Sequence, residues 1–107
     1  MITKNNQLEI FQILWNKSIS AQDQNKHVYL SALTLYKLNI NCPLSLKSSI
    51  HQITESEWDI SIEEVPWYLV NQFSKEAIIA LLKKIDFKTQ DQKIKLQTIA
   101  YWVKLSK

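Results

Sequence analysis

Two histidines, one cysteine and a crowd of carboxylates are the side chains with which this 107-residue chain would have to do acid–base, thiol or metal chemistry. His27 and His51 stand 24 positions apart, and no Cys/His spacing matches a structural zinc site. Cys42 with either histidine would make a thiolate pair, yet Cys42 directly precedes Pro43, where a small residue at a helix start is expected. Five of the ten acidic residues fall between positions 55 and 64, in the run Glu-Ser-Glu-Trp-Asp-Ile-Ser-Ile-Glu-Glu. An acid–base dyad needs one carboxyl desolvated to raise its pKa, and a hydrophilic crowd at a helix start does not provide that. There is no glycine, so neither a phosphate-cradling loop nor a nucleophile elbow can be built. The reading is a non-enzyme with no metal and no cofactor.

What remains is charge. Residues 1–54 carry five lysines and two acids, and residues 65–107 carry eight lysines and three acids. The segment 55–64 therefore holds −5 between flanks of +3 and +5, in a chain of net charge +3. Concentrated charge raises encounter rates and selects partners, and Trp is a frequent interface anchor. Glu55, Glu57, Trp58, Asp59, Glu63 and Glu64 are accordingly the expected partner-binding residues, with Trp58 the most exposed of the four tryptophans and Trp15, Trp67 and Trp102 in the core. The competing reading makes the run a helix start, where the dipole favours Glu63 and Glu64 by about 0.3–1 kcal/mol each; Glu55 and Glu57 precede that start and cap nothing. A second candidate is the cluster Lys83, Lys84, Lys88, Lys93 and Lys95, which could track phosphates of a nucleic acid. All thirteen basic residues are lysines, so the arginine fork that grips phosphate or guanine is missing.

These residues must be positioned by helices. Apolar residues make up 46% and charged residues 21%, a globular balance with room for one core. Helical periodicity runs through residues 5–17, 26–39, 43–54, 62–73, 75–86 and 91–105, and no alternating run suggests a strand. The second segment is apolar nearly all round, as a central buried helix would be. Ser61 with Glu64 and Thr89 with Gln92 fit capping boxes, Ser74 fits an N-cap, and Pro43 fits a first helical position. Pro66 would be the fifth residue of its helix and would kink it. Without glycine, positive-φ positions fall to asparagine, with Asn16, Asn39, Asn41 and Asn71 as helix-end residues. No apolar run approaches the roughly 20 residues of a membrane span. The N-terminus lacks the uninterrupted apolar stretch of a signal peptide, and a lone cysteine makes no intrachain disulfide, so the expected location is cytoplasmic. The Lys, Asn and Ile bias is that of an AT-rich bacterial genome.

Aligning Ala32, Pro66 and Ala100, 34 residues apart, brings Val28, Ile62 and Leu96 into register, as well as Leu33, Trp67 and Tyr101, and Leu35, Leu69 and Val103. In the segments Asp59–Phe73 and Asp91–Leu105 the chain resembles HEAT-like repeats, whose first helix carries a small or proline residue near its middle. The resemblance spans roughly residues 26–105, while the family's glycine and arginine positions are empty. It implies an all-α fold of about six antiparallel helices stacked as a short α-solenoid. One helical domain over 1–107 would then comprise a capping helix at 5–17, helix pairs at 26–54 and 62–86, and a terminal helix at 91–105. The functional expectation is a non-catalytic protein-binding module. In its most specific form it is an immunity protein or antitoxin that neutralises a basic bacterial toxin through the acidic aromatic run. The alternatives are a generic repeat scaffold or adaptor, and a lysine-patch nucleic-acid binder.

Overall fold

The chain forms six helices, α1 (Lys4–Ser18), α2 (Asn25–Leu38), α3 (Leu46–Glu55), α4 (Glu64–Gln72), α5 (Lys75–Leu82) and α6 (Gln90–Leu105), and hydroxyl residues cap the starts of α3, α5 and α6. The computed structural model describes residues 4–20 and 25–106; residues 1–3, 21–24 and 107 of the domain expected over 1–107 lie outside the described residues. Every regular element among the described residues is helical. Ser74 Oγ accepts from Ala77 N at 3.0 Å and Thr89 Oγ1 from Gln92 N at 3.1 Å, as the cap patterns require. Gln92 Oε1 reaches back one residue further than a capping box, to Lys88 N at 2.8 Å. Thr89→Ala is expected to cost about 1 kcal/mol, measured by chemical denaturation, with Thr89→Ser restoring most of it.

Several boundary expectations need correction, the simplest being that α5 ends at Leu82 rather than at residue 86. Helix α3 begins at Leu46 with Ser45 as its cap, accepting from Ser48 N at 3.1 Å, so Pro43 stays in the preceding loop. Helix α4 begins at Glu64 rather than at residue 62, and its N-cap position, Glu63, makes no side-chain cap bond. The Ser61–Glu64 capping box does not form. Pro66 is therefore the third helical residue, in the first turn, where amides have no intrahelical partner, and the argument for a kink lapses. Of the four asparagines, Asn39 alone has positive φ among the described residues, at 50°; Asn16 and Asn71 lie within α1 and α4.

Helix α2 packs on α1 and α4, α4 on α6, and α5 on α6. Helix α3, expected to pair with α2, makes its main contact with α6 instead. The central helix is α4, not α2. Glu64, Val65, Pro66, Tyr68 and Leu69 are buried along α4, whereas Tyr29, Leu30 and Leu38 of α2 are exposed, on a side that none of the described helices covers. On α1, Phe11 and Trp15 are buried and Leu8 is exposed. Phe11 stacks on Trp15 with centroids 5.5 Å apart, and both rings meet Tyr68 of α4, at 6.3 and 6.4 Å. Tyr68 donates to Ile40 O at 2.6 Å, and burial pushes its phenol pKa up. Gln72 completes that join: its Oε1 accepts from Cys42 N and its Nε2 donates to Asn39 Oδ1, each at 2.7 Å. The loop after α2 is thereby fastened to α4.

Candidate functional site

The acidic run links α3 to α4, and its backbone is held in place at every turn. Ser56 Oγ donates to Ile53 O at 2.7 Å and accepts from Trp58 N at 3.2 Å. Asp59 Oδ1 accepts from Ser61 N at 2.9 Å and from Ser61 Oγ at 2.8 Å, a local turn that competes with helix initiation at Ser61. Two side chains of α6, seven residues and so two turns apart on one face, tie the segment down from outside. Lys95 Nζ donates to Ser56 O, and Trp102 Nε1 donates to Ile60 O at 2.8 Å. A third tie comes from within. The carbonyl of Ile62 precedes the N-cap of α4 and so lies outside the helix ladder; it accepts from Trp58 Nε1 at 3.3 Å.

Trp58 is therefore the opposite of what its polar neighbours suggested. Only 2% of it is exposed, in the main core. Trp15 is buried as expected, while Trp67 and Trp102 are only half-buried. Glu64 also leaves the expected surface: it is 6% exposed, its Oε1 has no hydrogen-bond partner, and desolvation, opposed by its own amide and aided by the Glu63 charge, raises its pKa. Glu55 and Glu57 are exposed, and Asp59 and Glu63 are half-buried. Among the described residues, no carboxylate of the run is ion-paired with a lysine; the ion pair present is Lys95–Asp91, at 2.9 Å.

Beside this segment lies a row of aromatic rings that sequence reasoning missed. Tyr36 of α2, Trp67 of α4 and Trp102 of α6 follow one another at centroid distances of 6.1 and 6.4 Å, and Tyr101 packs edge-on against Trp102 at 5.1 Å. Trp67 Nε1 donates to Trp102 O at 3.1 Å, and Trp102 in turn holds Ile60 O, so the row is bonded directly to the acidic segment. Tyr101 is 57% exposed. Tyr36 and Trp67 also line a cavity of about 280 Å³ with Val70, Asn71, Leu105 and Ser106. The available signal was the 34-residue register, which makes Trp67 and Tyr101 equivalent positions on successive helices.

No family model, curated protein or solved structure matches the chain. Its function must be argued from the geometry alone.

The lysine cluster is smaller than expected. Lys95 is buried and committed to Ser56 O and Asp91, so it cannot serve a phosphate. Lys83, Lys84 and Lys88 are exposed, and half-buried Lys93 sits over the Phe87 ring, 5.6 Å from its centroid. Cys42 Sγ lies 3.6 Å from both Leu44 O and Ser49 Oγ, within the loop fastened to α4. Among the described residues no three His, Cys, Asp or Glu side chains come together as a metal site requires, and no helix is long and apolar enough to cross a membrane.

Proposed function

We propose that this chain is a non-catalytic module that binds another protein bearing a basic surface, and that its binding face is the acidic segment together with the aromatic row. The observation that carries this reading is the double strap from α6. Lys95 and Trp102 hold Ser56 and Ile60 by their carbonyls. The exposed carboxylates of Glu55 and Glu57 are thus presented on a fixed backbone, next to half-buried and exposed rings. Fixed charge beside rigid aromatic area gains affinity by lowering the ordering cost of binding. In its specific form the proposal is an immunity protein or antitoxin acting in the cytoplasm on a cationic bacterial toxin such as a nuclease. The carboxylates would stand where the toxin expects phosphates. The repeat reading belongs to the same proposal: α2, α4 and α6 bury Leu35, Leu69 and Val103 at equivalent positions, and Val28 of α2, Ile62 just before α4 and Leu96 of α6 are buried in the same register. That pattern supports a short HEAT-like series presenting one edge.

The test pairs growth rescue with calorimetry across a panel of purified cationic nuclease toxin domains. The wild-type chain is expected to rescue cells from one of them and to bind it with an affinity that falls as salt rises. Glu55→Lys with Glu57→Lys is expected to abolish both, and Lys83→Glu with Lys88→Glu to leave both intact. Binding without inhibition would reduce the proposal to a scaffold. Salt-sensitive binding to bulk RNA or DNA, lost only in the lysine variant, would replace it with the nucleic-acid reading.

A further inference from the structure

Helices α5 and α6 and their connection line an open groove of about 330 Å³ that the proposed protein-binding face does not use. Its floor is apolar, built from Ile79 and Leu82 of α5 and Leu96 and Ala100 of α6. Its rim is cationic: Lys83, Lys93 and Lys104 line it, and no acidic residue does. None of these lysines is ion-paired among the described residues. Phe87, 48% exposed, closes the end nearest the α5–α6 connection, with Lys93 over its ring. Lysines 93 and 104 are eleven residues apart on α6, which makes the groove about 16 Å long. An uncovered apolar trough is costly in water, and unpaired cations around it select the sign of whatever covers it.

We infer that this groove binds a single-chain amphiphile with an anionic head, a medium-chain fatty carboxylate. Its head lies between Lys83 and Lys93, and its tail runs along Leu96 and Ala100 beneath the methylene stem of Lys104. The volume sits at the lower end of small-molecule pockets, roughly 300–1,000 Å³, enough for one chain and too little for a helix of another protein. The recessed apolar surface also favours a chain that enters over a bilayer that would need apolar groups to protrude.

The experiment is titration of the full chain with sodium hexanoate, octanoate and decanoate below their micelle concentrations, followed by amide chemical shifts and calorimetry. Saturable one-to-one binding is expected, with affinity rising about fourfold per added methylene and shifts centred on α5 and α6. Lys83→Gln with Lys93→Gln, both away from the core, is expected to weaken decanoate about fivefold while leaving decanol unchanged. Ala100→Phe is expected to fill the floor and remove binding. Equal affinity for decylammonium, no saturable binding of monomeric carboxylate, or sedimentation with anionic phosphatidylglycerol vesicles as the sole interaction would overturn the assignment. If Ala100→Phe fails to fold, the lysine pair alone decides the question.

Discussion

Replacing Trp58 with alanine is expected to cost about 3–5 kcal/mol, the range for emptying a buried large aromatic site, and so to remove much of a stability that for domains of this size is about 5–15 kcal/mol. Two losses combine. The indole leaves a void in the main core, where it is 2% exposed. The Ile62 carbonyl also loses its Nε1 donor. Trp58→Phe separates the two. It keeps most of the apolar volume and removes the donor, and is expected to cost about 1–3 kcal/mol. Tyr101→Ala, at a ring that is 57% exposed, provides the contrast and is expected to stay within about 0.5 kcal/mol. At roughly 4–8 °C per kcal/mol for a domain of 60–100 residues, thermal melts resolve the order Tyr101→Ala, Trp58→Phe, Trp58→Ala. If Trp58→Ala melts with Tyr101→Ala, Trp58 belongs to the surface and the account of the acidic segment fails.

This residue also marks the limit of what the sequence could convey. Features decided within one turn were legible. Ser74 and Thr89 cap because a hydroxyl three residues before an amide reaches it, unless a local turn competes as Asp59 does at Ser61. Helix type was legible too, since apolar spacing survives without tertiary detail. The fate of Trp58 depends on the main core, packed from helices far along the chain, and on a loop carbonyl at Ile62 that its indole reaches. Polar neighbours at 55–57 and 59 pointed outward and were misleading. Lys95 misled in the same way. A lysine on a helix reads as solvated, yet this one reaches back 39 residues to Ser56 O, a contact visible only once α3 lies on α6. The apparent centrality of α2 failed because hydrophobic composition says how much could be buried and not what is available to cover it; α1 and α4 take one side each, and Tyr29, Leu30 and Leu38 remain in water. The aromatic row was half-legible, as two members share a register position, but its continuity from Tyr36 to Tyr101 needs α2, α4 and α6 side by side.

Glu64→Gln is expected to stabilise the protein at neutral pH, because it removes the desolvation cost of a buried charge, and the gain should vanish in acid. The carboxyl is 6% exposed and its Oε1 has no partner, so the charged form is the unfavourable one in the folded state. Desolvation raises its pKa above the ordinary 4.5, with the Glu63 charge adding to the rise and the residue's own amide opposing it. The sign follows from proton binding. Between the ordinary pKa and the raised one, the folded chain holds a proton at Glu64 that the unfolded chain has released. Stability contributed by this residue therefore falls as pH increases through that window and stays low above it. Below the ordinary pKa both states are protonated, and wild type and variant should converge. Urea denaturation of the two proteins from pH 3.5 to pH 8 gives the difference directly, because the other titrating groups cancel in the subtraction. A loss of stability in Glu64→Gln at pH 8 would mean that the negative charge in the first turn of α4 is favoured by the helix dipole, about 0.3–1 kcal/mol, more than it is penalised by burial. Glu64 also contributes one of the five negative charges of the 55–64 run, so if that run binds a cationic partner as proposed, the Gln variant should weaken capture even while making the fold more stable.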